Sequence, residues 1–128
     1  LSLSAILLDT DYYEALLESR RVIDEILVLD ERLLIPFKAR AFVDLSQRKD
    51  DGDANAKGSD IRKHRNDVFR LLQLLPTDQP IEVTEPLKAD LRAYVVRVNG
   101  LANFDPNAFG VPIDRETGLD LITRLYQL

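Results

Sequence analysis

The stretch from Leu34 to Leu75 constrains this 128-residue chain more than any other. Two segments with apolar residues at helical spacing flank a charged, glycine-containing loop. Helices joined by so short a loop pack side by side as an antiparallel αα-hairpin. Pro36 is expected to open the first helix, since its fixed φ suits a first helical position. Phe37, Ala41, Phe42 and Leu45 form its apolar stripe. The segment from Asp50 to Gly58 is expected to be solvated and mobile. Ser59 is the expected N-cap of the second helix, with Asp60 placed favourably against the helix dipole. Ile61, Val68, Leu71, Leu72 and Leu75 are its expected buried side.

Around this hairpin the chain reads as α+β and predominantly helical, with a small sheet fragment at the N-terminal end. In Leu1–Leu8, LSLSAILL, serines first alternate with apolar residues, which predicts a strand. Asp9, Thr10 and Asp11 cap a helix from about Asp11 to Arg20. Ile26–Leu29 predicts a second short strand, with Asp30, Glu31 and Arg32 turning into the hairpin. Beyond the hairpin, two prolines between Leu74 and Pro80 force a turn, and Ile81–Val83 is expected to be extended. Thr84 caps the next helix, whose apolar face is Leu87, Leu91, Tyr94, Val95 and Val98. Gly100 is expected to end it at the C′ position. Phe104 and Phe109 are expected to pin an irregular loop to the core. Asp114 starts a final helix with Leu119, Leu121, Ile122, Leu125 and Tyr126 available for burial. The whole reads as one domain.

Composition excludes several classes. No cysteine is present, so disulfides and thiolate metal sites are impossible, and a lone histidine cannot build a multi-His metal site. A net charge of −5 argues against bulk nucleic-acid affinity while leaving room for a local basic patch on the second helix. The apolar runs are too short to span a bilayer and no signal peptide is visible, so a cytoplasmic location without membrane contact is expected. The acids Asp50, Asp51 and Asp53 lack the spacing and terminal glutamate of a calcium loop. Gly52 and Gly58 do not fall in a phosphate-loop pattern.

Asp60, His64 and Asp67 stand four and three residues apart, which puts them on one helical face. A charged face of this kind is commonly just solvated. The functional alternative is that Asp67 faces Lys38 across the hairpin. Lysine is a compact cation for phosphate, and aspartate would orient it. Their bland readings are a snorkelling lysine, and an intrahelical pair of Asp67 with Lys63 or Arg70. His64 is open to a role as general base or phosphate donor, and equally to a surface or capping role. Arg62, Lys63, Arg65 and Arg70 make the second helix basic, suited to the phosphates of an RNA acceptor. Asp9 and Asp11 follow a strand, a common place for metal carboxylates, and serve equally as helix caps.

The segments IPFKARAFVDLSQRK and SDIRKHRNDVFRLL resemble the C-terminal part of nucleotidyltransferase-like proteins of the AbiEii/AbiGii toxin family. Lys38, Ala41 and Arg48 match the family's first-helix pattern. His64, Arg65 and Asp67, in the variant spelling KHRND, fall where its second pattern is expected. The resemblance covers residues 1–75. It implies a helical domain completing a nucleotide cleft, with Lys38 and Asp67 catalytic and Arg48, His64 and Arg65 binding substrate. It also implies Mg2+ and an NTP in the full-length protein, an RNA acceptor, and an antitoxin protein partner in a toxin–antitoxin or phage-defence system.

The Gly-Ser loop and D-x-D carboxylate pair of such enzymes are not found on a predicted strand here. The chain is therefore expected to be the distal part of a longer protein, partnered by an N-terminal nucleotidyltransferase domain. Without the metal cage the isolated chain is expected to be inactive. The alternative is a non-catalytic helical protein-interaction module, using the basic helix or the final amphipathic one.

Overall fold

The computed structural model describes residues 21–23, 26–28 and 30–128. The strand expected at Leu1–Leu8 and the helix expected at Asp11–Arg20 lie outside the described residues. So do Asp9 and Asp11. The described chain is predominantly helical. Strands β1 (Arg21–Ile23) and β2 (Ile26–Val28) pair antiparallel, Arg21 with Val28 and Ile23 with Ile26. A ladder of this length is not a sheet layer, and the expected sheet fragment reduces to it among the described residues.

Helix α1 (Glu31–Asp50) begins earlier than Pro36, which lies inside it. The cap is Asp30. Its Oδ1 accepts from the Arg32 backbone N–H at 2.9 Å, and the Arg32 guanidinium returns to the same carboxylate at 3.1 and 2.7 Å. Asp30, Glu31 and Arg32 are thus a cap and a first turn, not a connecting turn. A proline at this depth has no N–H for the carbonyl four residues back, that of Arg32. The hydroxyl of Tyr126 supplies the missing donor at 2.7 Å. Burial runs round much of α1: Phe37, Ala41, Phe42 and Leu45 are buried as the stripe predicts, and Leu33, Ile35 and Ala39 join them.

Helix α2 (Gly58–Leu72) opens one residue before Ser59, with Lys57 in the cap position and no side-chain cap bond. Ser59 is therefore inside the first turn. The loop between the two helices is not wholly solvated, since Ala56 is buried. The antiparallel αα-hairpin of α1 and α2 forms the largest interhelical contact of the fold. Val68, Leu72 and Leu75 are buried, and Ile61 and Leu71 pack partly buried against the core. Phe69, which the apolar stripe omitted, is fully buried. It stands eight residues after Ile61 and three before Leu72, so the period that marked its neighbours marks it too.

Helix α3 (Glu85–Asn99) packs on α1. Leu87, Leu91, Tyr94 and Val98 are buried and Val95 packs against them. Gly100 caps this helix in ordinary right-handed geometry, φ −82°, so the expected left-handed C′ stop is not used. The segment at 81–83 forms no strand, but Ile81 donates its N–H to Leu125 O at 2.7 Å. A short 3-10 turn (Pro106–Phe109) carries Phe109 against Phe104, and Phe104 meets Phe69 edge to face at 5.0 Å. Helix α4 (Arg115–Leu125) is capped by Asp114, whose Oδ1 accepts from Thr117 N at 2.7 Å. Leu119, Ile122, Leu125 and Tyr126 are buried, and Leu121 partly so. Gly118 lies under Phe69: a Cβ there would stand 2.2 Å from the ring.

Candidate functional site

Lys38 lies in the second turn of α1, past the buried Phe37, and Asp67 lies beyond the middle of α2. Antiparallel packing brings them level. Lys38 Nζ stands 3.1 Å from Asp67 Oδ2, with the side chains 28% and 19% exposed. Arg70 holds the other oxygen at 3.0 Å, three residues along the same helix. Asp67 thus makes both the cross-hairpin and the intrahelical contact open to it.

His64 sits on the same side of α2, one turn before Asp67. It is half-buried, neither a surface residue nor a cap, and its Nδ1 is buried with no hydrogen-bond partner among the described residues. Burial lowers its pKa below the ordinary 6.5, the charge of Lys38 lowers it further, and Asp67 pulls the other way. The imidazole is therefore held neutral beside an ammonium–carboxylate pair. Such a group accepts a proton more reluctantly than a free histidine.

Arg48 does not join this group. It is ten residues beyond Lys38, about 15 Å along the helix axis, and its Nε pairs with Asp44 at 3.0 Å. Arg65 also points elsewhere. Its guanidinium lies 4.8 Å over the Phe104 ring, its Nε donates to Asn66 Oδ1, and its carbonyl accepts from the buried Tyr94 hydroxyl at 2.7 Å. The five candidate residues thus divide into Lys38, His64 and Asp67 together, Arg48 on the outer surface of α1, and Arg65 on another side of α2 against Phe104.

Comparison with protein-family models, curated proteins and solved structures finds no match to this chain. Among the described residues no three His, Cys, Asp or Glu side chains gather as a metal cage. No described helix is long and apolar enough to cross a membrane.

Sequence reasoning missed a second polar feature. A cleft of about 220 Å³ opens at the loop end of the hairpin, lined by Lys49, Arg62, Arg65 and Arg97 among others. Arg62 and Arg65 were legible as basic residues of one helix. Lys49 and Arg97 come from two other helices, and no local signal unites them.

Proposed function

We propose that this chain is the helical domain of a nucleotidyltransferase-like protein, as its likeness to the AbiEii/AbiGii family suggests. The observation that carries the reading is the 3.1 Å approach of Lys38 to Asp67. The resemblance singles out these two residues from different helices, and a shared site requires them to meet. In this reading the Lys38 ammonium receives a phosphate of the NTP, and Asp67 holds that ammonium in place when the phosphate is absent. His64, kept neutral by burial, stands beside the pair as a proton acceptor or a phosphate donor. The metal ions of the reaction belong to carboxylates of the upstream nucleotidyltransferase domain, and the acceptor is an RNA hydroxyl. An antitoxin protein and a cytoplasmic setting complete the proposal.

The test is transfer from labelled NTPs to RNA, with Mg2+, by the intact protein. Lys38→Ala and Asp67→Asn should abolish labelling while the helical circular dichroism stays unchanged. An active, folded Lys38→Ala protein would overturn the reading. A non-catalytic helical interaction module is the second reading. One observation favours it: Asp67 already neutralises Lys38, so the pair is complete without a ligand. No labelling by the intact, folded parent protein would transfer support to it.

A further inference from the structure

The cleft at the loop end of the hairpin gathers positive charge in a chain that is acidic overall. Its walls come from three helices. Ser46 and Lys49 belong to the end of α1, Gly58 and Arg62 to the start of α2, Arg65 to its middle, and Arg97 to the end of α3. The one carboxylate on its lining, Asp50, is taken by Arg97, whose two terminal nitrogens reach the same oxygen at 3.1 and 3.0 Å. Among the described residues no carboxylate pairs with Lys49, Arg62 or Arg65. Lys49 and Arg62 are exposed and Arg65 is half-buried, yet the three come together at one place. A Cβ on Gly58 would stand 2.9 Å from Lys49 Nζ and 3.2 Å from an Arg62 terminal nitrogen, so both charges converge over the bare backbone of that glycine. Like charges held together repel, and an anion between them relieves the repulsion.

The surroundings suit an anion with several acceptor oxygens. Gly58 begins α2, whose cap position makes no side-chain hydrogen bond. The first-turn N–H groups are left to other acceptors, and the positive end of the helix dipole lies at the cleft. Ser46, only 7% exposed, adds a hydroxyl to the lining. Arg65 is held by its stacking on Phe104, so its position is set before a ligand arrives. No exposed aromatic ring lines the cleft: Phe42 is 2% exposed. The lining therefore offers charge and N–H donors in place of an aromatic face.

We infer that the cleft bounded by Lys49, Gly58, Arg62 and Arg65 is a binding site for a phosphate group, carried by either a nucleic-acid strand or a free polyphosphate. The site is separate from Lys38 and Asp67, and the inference stands whether or not the chain serves nucleotidyl transfer.

The test uses the 128-residue chain with two probes, inorganic pyrophosphate and a short single-stranded oligouridylate, followed by amide chemical shifts and calorimetry. Binding should move the Gly58 and Ser59 amides. The Lys49→Ala/Arg62→Ala double variant should weaken it by about tenfold or more, the loss expected of two charge-assisted contacts. Arg92→Ala, which removes one charge elsewhere, should leave it unchanged. If the strand is the ligand, oligouridylate binds more tightly than pyrophosphate, and the double variant reduces its salt slope by about 1.4. If free polyphosphate is the ligand, pyrophosphate binds at least as tightly. Unmoved Gly58 and Ser59 amides with both probes, or equal binding by the folded double variant, overturns the proposal.

Discussion

The Tyr126 hydroxyl donates to the carbonyl oxygen of Arg32 at 2.7 Å, and that carbonyl is the one Pro36 cannot serve. A residue just past the last helix thus closes a gap that a proline opens in the first. Tyr126 is fully buried, and its desolvated hydroxyl stays protonated far above the ordinary tyrosine range. Removing the donor leaves a carbonyl with neither partner.

Tyr126→Phe should therefore destabilise the protein by about 1–3 kcal/mol, the cost of a polar group stranded in the interior. The same substitution should cost less in a Pro36→Ala background, because alanine restores an N–H four residues from Arg32. Urea denaturation of the four proteins of this double-mutant cycle measures the difference. Equal costs in both backgrounds would show that the hydroxyl does not act on the proline gap.

Gly118→Ala should be among the most damaging small changes available. The added methyl would meet Phe69 carbons at 2.2 and 2.7 Å, and that ring is fully buried and wedged edge-on against Phe104. Overpacking of this kind costs about 1–3 kcal/mol or more. Thermal melts should show a drop of several degrees, partly restored by Phe69→Leu in the same chain. An unshifted melting temperature would mean that the ring moves aside freely.

Lys38→Ala should leave the fold intact and cost about 1 kcal/mol or less, as expected for a partly exposed ion pair. Asp67→Asn should cost more, because it releases two cations, Lys38 and Arg70, which then face each other without a carboxylate between them. Chemical denaturation of both variants gives the order. A Lys38→Ala loss as large as a core truncation would make the lysine a packing residue.

His64 should make stability fall on acidification. Its folded pKa lies below 6.5, chiefly through burial and then through Lys38. The unfolded chain therefore binds the proton first, and stability rises with pH wherever it does. The contribution is complete above the unfolded value and is lost as pH falls from there towards the folded one. Urea midpoints measured from pH 7.5 down to 5 should decline less steeply for His64→Gln than for the parent. Parallel curves would show that His64 charges as easily folded as unfolded.

The helix faces were set by the order of residues along the chain. Leu87, Leu91, Tyr94 and Val98 recur at helical spacing, and all four are buried. That period is local: it depends on the 3.6-residue turn and on no distant partner. The Asp114 cap was legible for the same reason, since its acceptor and donor lie three residues apart. The pairing of Lys38 with Asp67 was legible only as two residues worth comparing. Whether they meet depends on the register of two packed helices, which the loop between them does not specify.

Tertiary structure decided the rest. Pro36 reads as a helix start when its neighbours alone are considered, because a proline further in leaves a carbonyl unpaired. The donor that removes this objection comes from Tyr126, ninety residues further on. Gly118 has no role that its own helix assigns, and the ring of Phe69 packed against it explains it. Arg48 and Lys49 are adjacent cations, and the family resemblance singles out only Arg48. The turn of the helix sends one outward to Asp44 and the other towards Arg62 and the cleft. A charge acquires a role from the groups it faces, and those groups are brought from other helices by the burial of apolar surface, which acts over the whole chain at once.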